Sequence, residues 1–88
     1  MTTIDAAIVR EQGVEFTVVS VRSSAASSQT ESARVIDGLT SYFPGRPIIL
    51  MARVGSRIKF IGERTDIVRW LANVPVNALP WKQYRFSS

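Results

Sequence analysis

The chain has 88 residues, with 11 Lys+Arg, 7 Asp+Glu, no His and no Cys, for a net charge of +4. Without cysteine there is no disulfide framework, thiolate nucleophile or thiolate metal site, and without histidine the commonest metal ligand and general base are missing too. Acid–base chemistry would fall to seven carboxylates, two lysines and two tyrosines in no recognisable arrangement, so the composition argues against an enzyme and implies no cofactor or metal.

The 45% hydrophobic and 20% charged content is that of a globular chain, and the length suits one thin core, hence one small domain over residues 1–88. The N-terminal Met1-Thr2-Thr3-Ile4-Asp5 lacks a basic-then-apolar leader layout. No apolar run approaches the roughly 20 residues of a membrane helix. A cytoplasmic location is the expectation.

In chain order, residues 6–11 and 14–21 are apolar, β-branched segments around Gln12-Gly13, which predicts a tight hairpin with Gly13 supplying the positive φ. With that loop Arg10 faces Glu15, Val9 faces Phe16, Ile8 faces Thr17 and Ala7 faces Val18. Ala7, Val9, Phe16 and Val18 then share one face while the opposite charges meet on the other. The small polar run Ser23–Ser28 follows, ending in Ser28-Gln29-Thr30-Glu31, a capping-box pattern. Val35, Ile36, Leu39, Tyr42 and Phe43 recur at helical spacing until Pro44-Gly45, which predicts a helix over 29–43.

The second half repeats the plan. Residues 48–52 and 57–61 read as strands around Gly55-Ser56, with Ile49, Met51, Ile58 and Phe60 on one face and Leu50, Ala52, Arg57, Lys59 and Ile61 on the other. A shorter helix is predicted over 64–73, with Ile67, Val68 and Leu71 inward. Residues 74–88 read as an extended tail, within which Trp81–Phe86 has the pattern of a further edge strand. The fold class is therefore α+β: ββαββα(β), with a mostly antiparallel sheet of four or five strands and two helices on one face. Setting the first strand aside, the order βαββαβ is that of a split βαβ arrangement.

If both helices cover one face, the other is left partly apolar, presenting Ala6, Ile8, Val19, Val21, Leu50, Ala52 and Ile61 beside Arg10, Glu15, Thr17, Arg57 and Lys59. That is more aliphatic surface than a small monomer leaves in water. Either the tail 74–86 covers it, with Leu79 or Trp81 as a plug, or a second copy does. The first function hypothesis is accordingly a non-enzymatic protein-interaction module that self-associates as a dimer through this face or an edge strand. Its candidate interface residues are Ile8, Val19, Val21, Leu50, Ile61 and Trp81.

The second hypothesis is nucleic-acid binding, and it comes from the distribution of charge. Residues 1–43 set Arg10, Arg22 and Arg34 against Asp5, Glu11, Glu15, Glu31 and Asp37, a balance of −2. Residues 44–88 set Arg46, Arg53, Arg57, Lys59, Arg64, Arg69, Lys82 and Arg85 against Glu63 and Asp66, a balance of +6. Arg53, Arg57, Lys59, Lys82 and Arg85, interleaved with Trp81 and Tyr84, could contact phosphates and bases. The plainer reading is solubilising charge, since Phe16 and Phe60 fall on the core face rather than on a stacking surface.

The other motifs favour structural roles. Trp70 reads as a core-edge residue. Glu63 and Asp66 stand where acids favour a helix N-terminus, and Glu11 and Glu15 read as turn charges. The serines of 23–28 lack an activating base, and the five glycines form neither a dinucleotide fingerprint nor a phosphate loop.

Overall fold

The computed structural model describes residues 2–11 and 13–87. The elements are β1 (Thr2–Glu11), β2 (Val14–Val21), a 3-10 turn (Ser23–Ala26), α1 (Gln29–Leu39), β3 (Ile48–Val54), β4 (Arg57–Ile61), α2 (Thr65–Leu71), a second 3-10 turn (Val76–Ala78) and β5 (Trp81–Phe86). The strands form one sheet in the order β4-β3-β2-β1-β5. Every neighbouring pair is antiparallel except β2 and β3. The α+β class and the element order are those expected.

Alternation and turn chemistry account for both hairpins. β1 and β2 pair with Arg10↔Glu15, Val9↔Phe16, Ile8↔Thr17 and Ala7↔Val18, the predicted register. Gly13 takes φ 79°, while Gln12, the other expected loop residue, lies outside the described residues. Gly55, at φ 64°, likewise opens the two-residue turn between Val54 and Arg57. β1 starts at Thr2 rather than residue 6 because β5 pairs along it from Thr2↔Phe86 to Ala7↔Trp81. Residues 81–86 of the expected tail are therefore an edge strand.

Helix α1 starts as the capping pattern predicts, with Ser28 Oγ accepting from the Glu31 amide at 3.0 Å. It ends at Leu39, short of residue 43. The Thr40 and Ser41 hydroxyls donate back to the Ile36 and Gly38 carbonyls, and local bonds of this kind compete with helix continuation. Phe43 then turns inward and is buried. α2 is also shorter than the predicted 64–73: Arg64 is its N-cap, and beyond Leu71 the Asn73 and Val74 amides bond three residues back, to the Trp70 and Leu71 carbonyls, in turns that do not continue the helix.

The two helices do not share a face, which corrects the expected arrangement. Helix α2 packs Ile67 and Leu71, with Leu79 from the tail, on Ala7, Val9, Phe16, Val18, Ile49 and Met51. Val35, Ile36 and Leu39 of α1, with Tyr42 and Phe43, pack on Ile4, Ala6, Val19, Ile48 and Leu50 from the opposite side. A parallel neighbour needs a crossover, and here α1 is that crossover, lying on one face between β2 and β3. The segment from α2 to β5 crosses from one sheet edge to the other over the other face. Since β2 and β3 are adjacent, the βαβ unit is not split either.

Candidate interaction surface

The face expected to need a partner is occupied by the chain's own α1. Leu50 and Val19 are 0% and 1% exposed, within the α1-side cluster. Val21 and Ile61 are half-buried against the same cluster, and Ile8 is half-buried beside Thr17. The tail covers the other face instead. Leu79 is buried there, and Trp81 is half-buried against the same cluster, with its Nε1 donating to the Val76 carbonyl at 2.9 Å. The six interface candidates therefore divide between two internal layers. Thr17 Oγ1 is buried at the α1-side layer without a hydrogen-bond partner.

The five cations considered for nucleic acid do not converge. Arg57 and Lys59 belong to β4, and Lys82 and Arg85 to β5 at the far edge, four strand spacings or about 19 Å away; Arg53, on β3, is three spacings from β5. By strand alternation Arg57 and Lys59 project on the α1 side, and Arg53 on the α2 side. Arg53 and Lys82 border a shallow basin of mixed character with Asp5, Met51, Trp81 and Gln83. Lys82 Nζ lies 5.8 Å from the Tyr84 ring centroid, a cation–π contact.

What remains open is the β4 edge. Pairing between β2 and β3 ends at Val21↔Ala52, so the turn end of the hairpin overhangs the sheet. There Val54 and Ile58 are 45% and 38% exposed, the only large hydrophobics so exposed among the described residues. Beside β4 on the α2 side is an apolar groove of about 450 Å³, lined by Ile58, Phe60, Val68, Leu71, Val74 and Val76. On the α1 side a second groove runs between Ser32, Ala33 and Ile36 of the helix and the segment Ile61-Gly62-Glu63. Gly62 permits this close course: a Cβ there would sit 2.3 Å from Ile49 Cδ1 and 3.3 Å from the Ile48 carbonyl oxygen.

The chain matches no family model, no curated protein and no solved structure. The surface must therefore be read from its own chemistry.

Electrostatically, the acids that follow β4, at the end away from the overhang, differ in their engagement. Asp66 pairs with Arg64 at 2.8 Å, and this hydrogen bond holds its carboxyl below the usual range. Glu63 makes no salt bridge among the described residues, nor do Arg57 and Lys59. At the start of β2, Glu15 accepts from both Arg46 and Arg10, which lowers its pKa, the Arg46 hydrogen bond most. Among the described residues no group of three or more acids suits a metal ion, and no helix is long and apolar enough to cross a membrane.

Sequence reasoning placed Arg57, Lys59 and Ile61 correctly on one side of the hairpin but missed the grooves. Phe60 and Val68 pack on the core as their spacing predicts, whereas Ile58, expected on the same face, is exposed, and Val74 and Val76 of the tail complete the groove. The available signal was Ile58 itself, a β-branched residue between two cations next to a turn.

Proposed function

We propose that the protein is a non-enzymatic protein-interaction module that self-associates through an edge of its sheet rather than through a face. The observation that carries this is the exposed β4 edge, with Ile58 open beside an apolar groove and Val54, across the turn on β3, open on the opposite side. An uncovered edge presents unpaired amides and carbonyls and is a template for another strand. A second copy suits it by charge: β4 carries Arg57 and Lys59, and the chain supplies the unpaired Glu63 just after the strand. Light scattering behind a sizing column, over a range of concentrations, tests it. A mass approaching twice the 9.8 kDa chain is expected, and a concentration-independent mass of one chain overturns it.

A second reading is favoured by the same overhang. A projecting hairpin carrying Arg53, Arg57 and Lys59 could lie in a nucleic-acid groove. Three phosphate contacts would make log K fall with log salt at a slope of about −2.7 on duplex DNA. A mobility shift at low salt that is lost in Arg53→Ala and Arg57→Ala supports this reading, and no shift at low salt ends it.

A further inference from the structure

We propose that the second copy adds antiparallel to β4 with the two-fold axis beside Phe60, producing one ten-stranded sheet held in register by reciprocal Arg57–Glu63 pairs. This rests on the edge-association reading above and adds the edge, the register and the contacts that select it.

The backbone sets which groups are available. Val54 and Arg57 flank a two-residue turn, and the pair flanking such a turn is hydrogen-bonded, after which the direction alternates. The amides and carbonyls of Arg57, Lys59 and Ile61 therefore point to β3, and those of Ile58 and Phe60 point outward; Gly62 and Glu63 follow the strand's last residue, with the chain bending at Glu63. None of the turn and loop backbone hydrogen bonds among the described residues engages Ile58, Phe60 or Gly62.

An antiparallel two-fold pairing places one of the five β4 residues opposite its own copy, and charge and strand length distinguish the choices. With the axis at Arg57 a guanidinium faces itself. With the axis at Ile58, Arg57 faces Lys59 of the second copy. With the axis at Lys59, that ammonium faces itself across a pair not joined by hydrogen bonds, where Cα atoms are only about 4.5 Å apart. With the axis at Phe60, Lys59 faces Ile61, Ile58 faces Gly62 and Arg57 faces Glu63. With the axis at Ile61, Lys59 faces Glu63, but the pairing then runs past the end of β4 to Thr65, where α2 begins. The Phe60 register separates the cations within β4 itself and sets each Arg57 guanidinium near a carboxylate. Like charges directly opposite destabilise a sheet, and opposite charges stabilise it.

Side-chain placement agrees with that register. Glu63 is exposed and lines the groove beside Ile61 on the α1 side, the side on which Arg57 projects. On the α2 side Phe60 meets its copy, and Ile58 lies over a residue without a side chain. The apolar grooves bordered by Ile58 and Phe60 in the two copies then become continuous across the axis. The other edge does not offer this. β5 carries Lys82 and Arg85 with no acid between Trp81 and Phe86, and its Tyr84 and Phe86 already pack on Phe43 at ring-centroid distances of 5.4 and 5.6 Å.

The absence of native cysteine makes the register directly readable. Phe60→Cys, Ile58→Cys, Lys59→Cys and, on β5, Tyr84→Cys each introduce a single thiol. A residue opposite its own copy in a hydrogen-bonded antiparallel pair has Cα atoms about 5.5 Å apart, within disulfide reach. Under mild oxidation Phe60→Cys is expected to cross-link and the other three are not. Cross-linking at residue 58 or 59 instead overturns the register, and at residue 84 it overturns the choice of edge. A wild-type chain that stays monomeric at every concentration overturns the self-association reading itself.

Because Phe60 also packs on the core, exposed charges provide an arm that does not depend on it. Arg57→Glu and Glu63→Arg are each expected to weaken dimerisation roughly tenfold, since each change acts at both symmetry-related pairs. The double variant is expected to recover to within about threefold of wild type, because the reversed charges meet again. Unchanged affinity in both single variants, or no recovery in the double, overturns the proposal.

Discussion

The Ser32 hydroxyl donates to the Ala25 carbonyl at 2.8 Å, joining α1 to the 3-10 turn before it where both residues are buried. Ser32→Ala leaves that carbonyl without its side-chain donor and should lower stability by about 1–3 kcal/mol. Urea denaturation should show a lower midpoint with an unchanged slope. An unaltered midpoint would mean that water replaces the hydroxyl.

Leu50 and Val19 separate the two ways in which the α1 side of the sheet could have been covered. Leu50→Ala should cost about 2–5 kcal/mol, as expected for a core leucine. Val19→Asp buries an unpaired carboxylate beneath α1 and should unfold the chain rather than release a folded monomer. Circular dichroism alongside sizing distinguishes these outcomes. A folded Val19→Asp monomer would place the interface on that face after all.

Gly62 is the point at which the chain leaves β4 in close contact with the start of β3. Gly62→Ala forces Ile49, itself fully buried, to move, with an expected cost of about 1–3 kcal/mol. The thermal midpoint reports it. A Gly38→Ala control, where the added methyl meets open space, should be neutral or stabilising.

Glu15 gives the fold a pH dependence whose sign is fixed. Arg46, and then Arg10, holds its folded pKa below the ordinary 4.5, so the unfolded chain takes up the proton first on acidification. The stabilisation is therefore fully present above about pH 4.5 and is lost as pH falls through the lowered folded value. Asp66, lowered by Arg64, acts in the same direction. Urea midpoints followed below pH 5 should fall less steeply in Glu15→Gln than in wild type. Identical slopes would remove Glu15 from the acid response.

The first hairpin was legible to the residue because apolar alternation and the Arg10–Glu15 pair agree on one register. The Ser28 cap was legible for a similarly local reason. The division of the helices between faces was also written in the chain but was read differently. β1 offers Ala6 and Ile8 in one phase and Ala7 and Val9 in the other, and β3 runs Ile48-Ile49-Leu50-Met51 without alternation. Strands apolar in both phases belong to a sheet covered on both sides, and a helix between two strands allows their parallel pairing. Taking one apolar phase as an unfilled face created a need for a partner that α1 meets. Apart from the hint in Ile58, the grooves beside β4 were not legible, because they depend on where α1, α2 and residues 72–76 come to rest against the strand.

The pairing of Thr2 with Phe86 has a consequence for how the chain is made. During synthesis β1 emerges first and acquires β2 almost at once, but its outer backbone has no strand to bond until residues 81–86 follow. Until then the longest strand of the sheet has one open side next to Ile4, and Phe43 lacks the Tyr84 and Phe86 rings that close over it. A chain in which residues 81–86 have yet to pair thus carries a sticky flank, and β5, the last of the five strands in sequence, is the one that seals it.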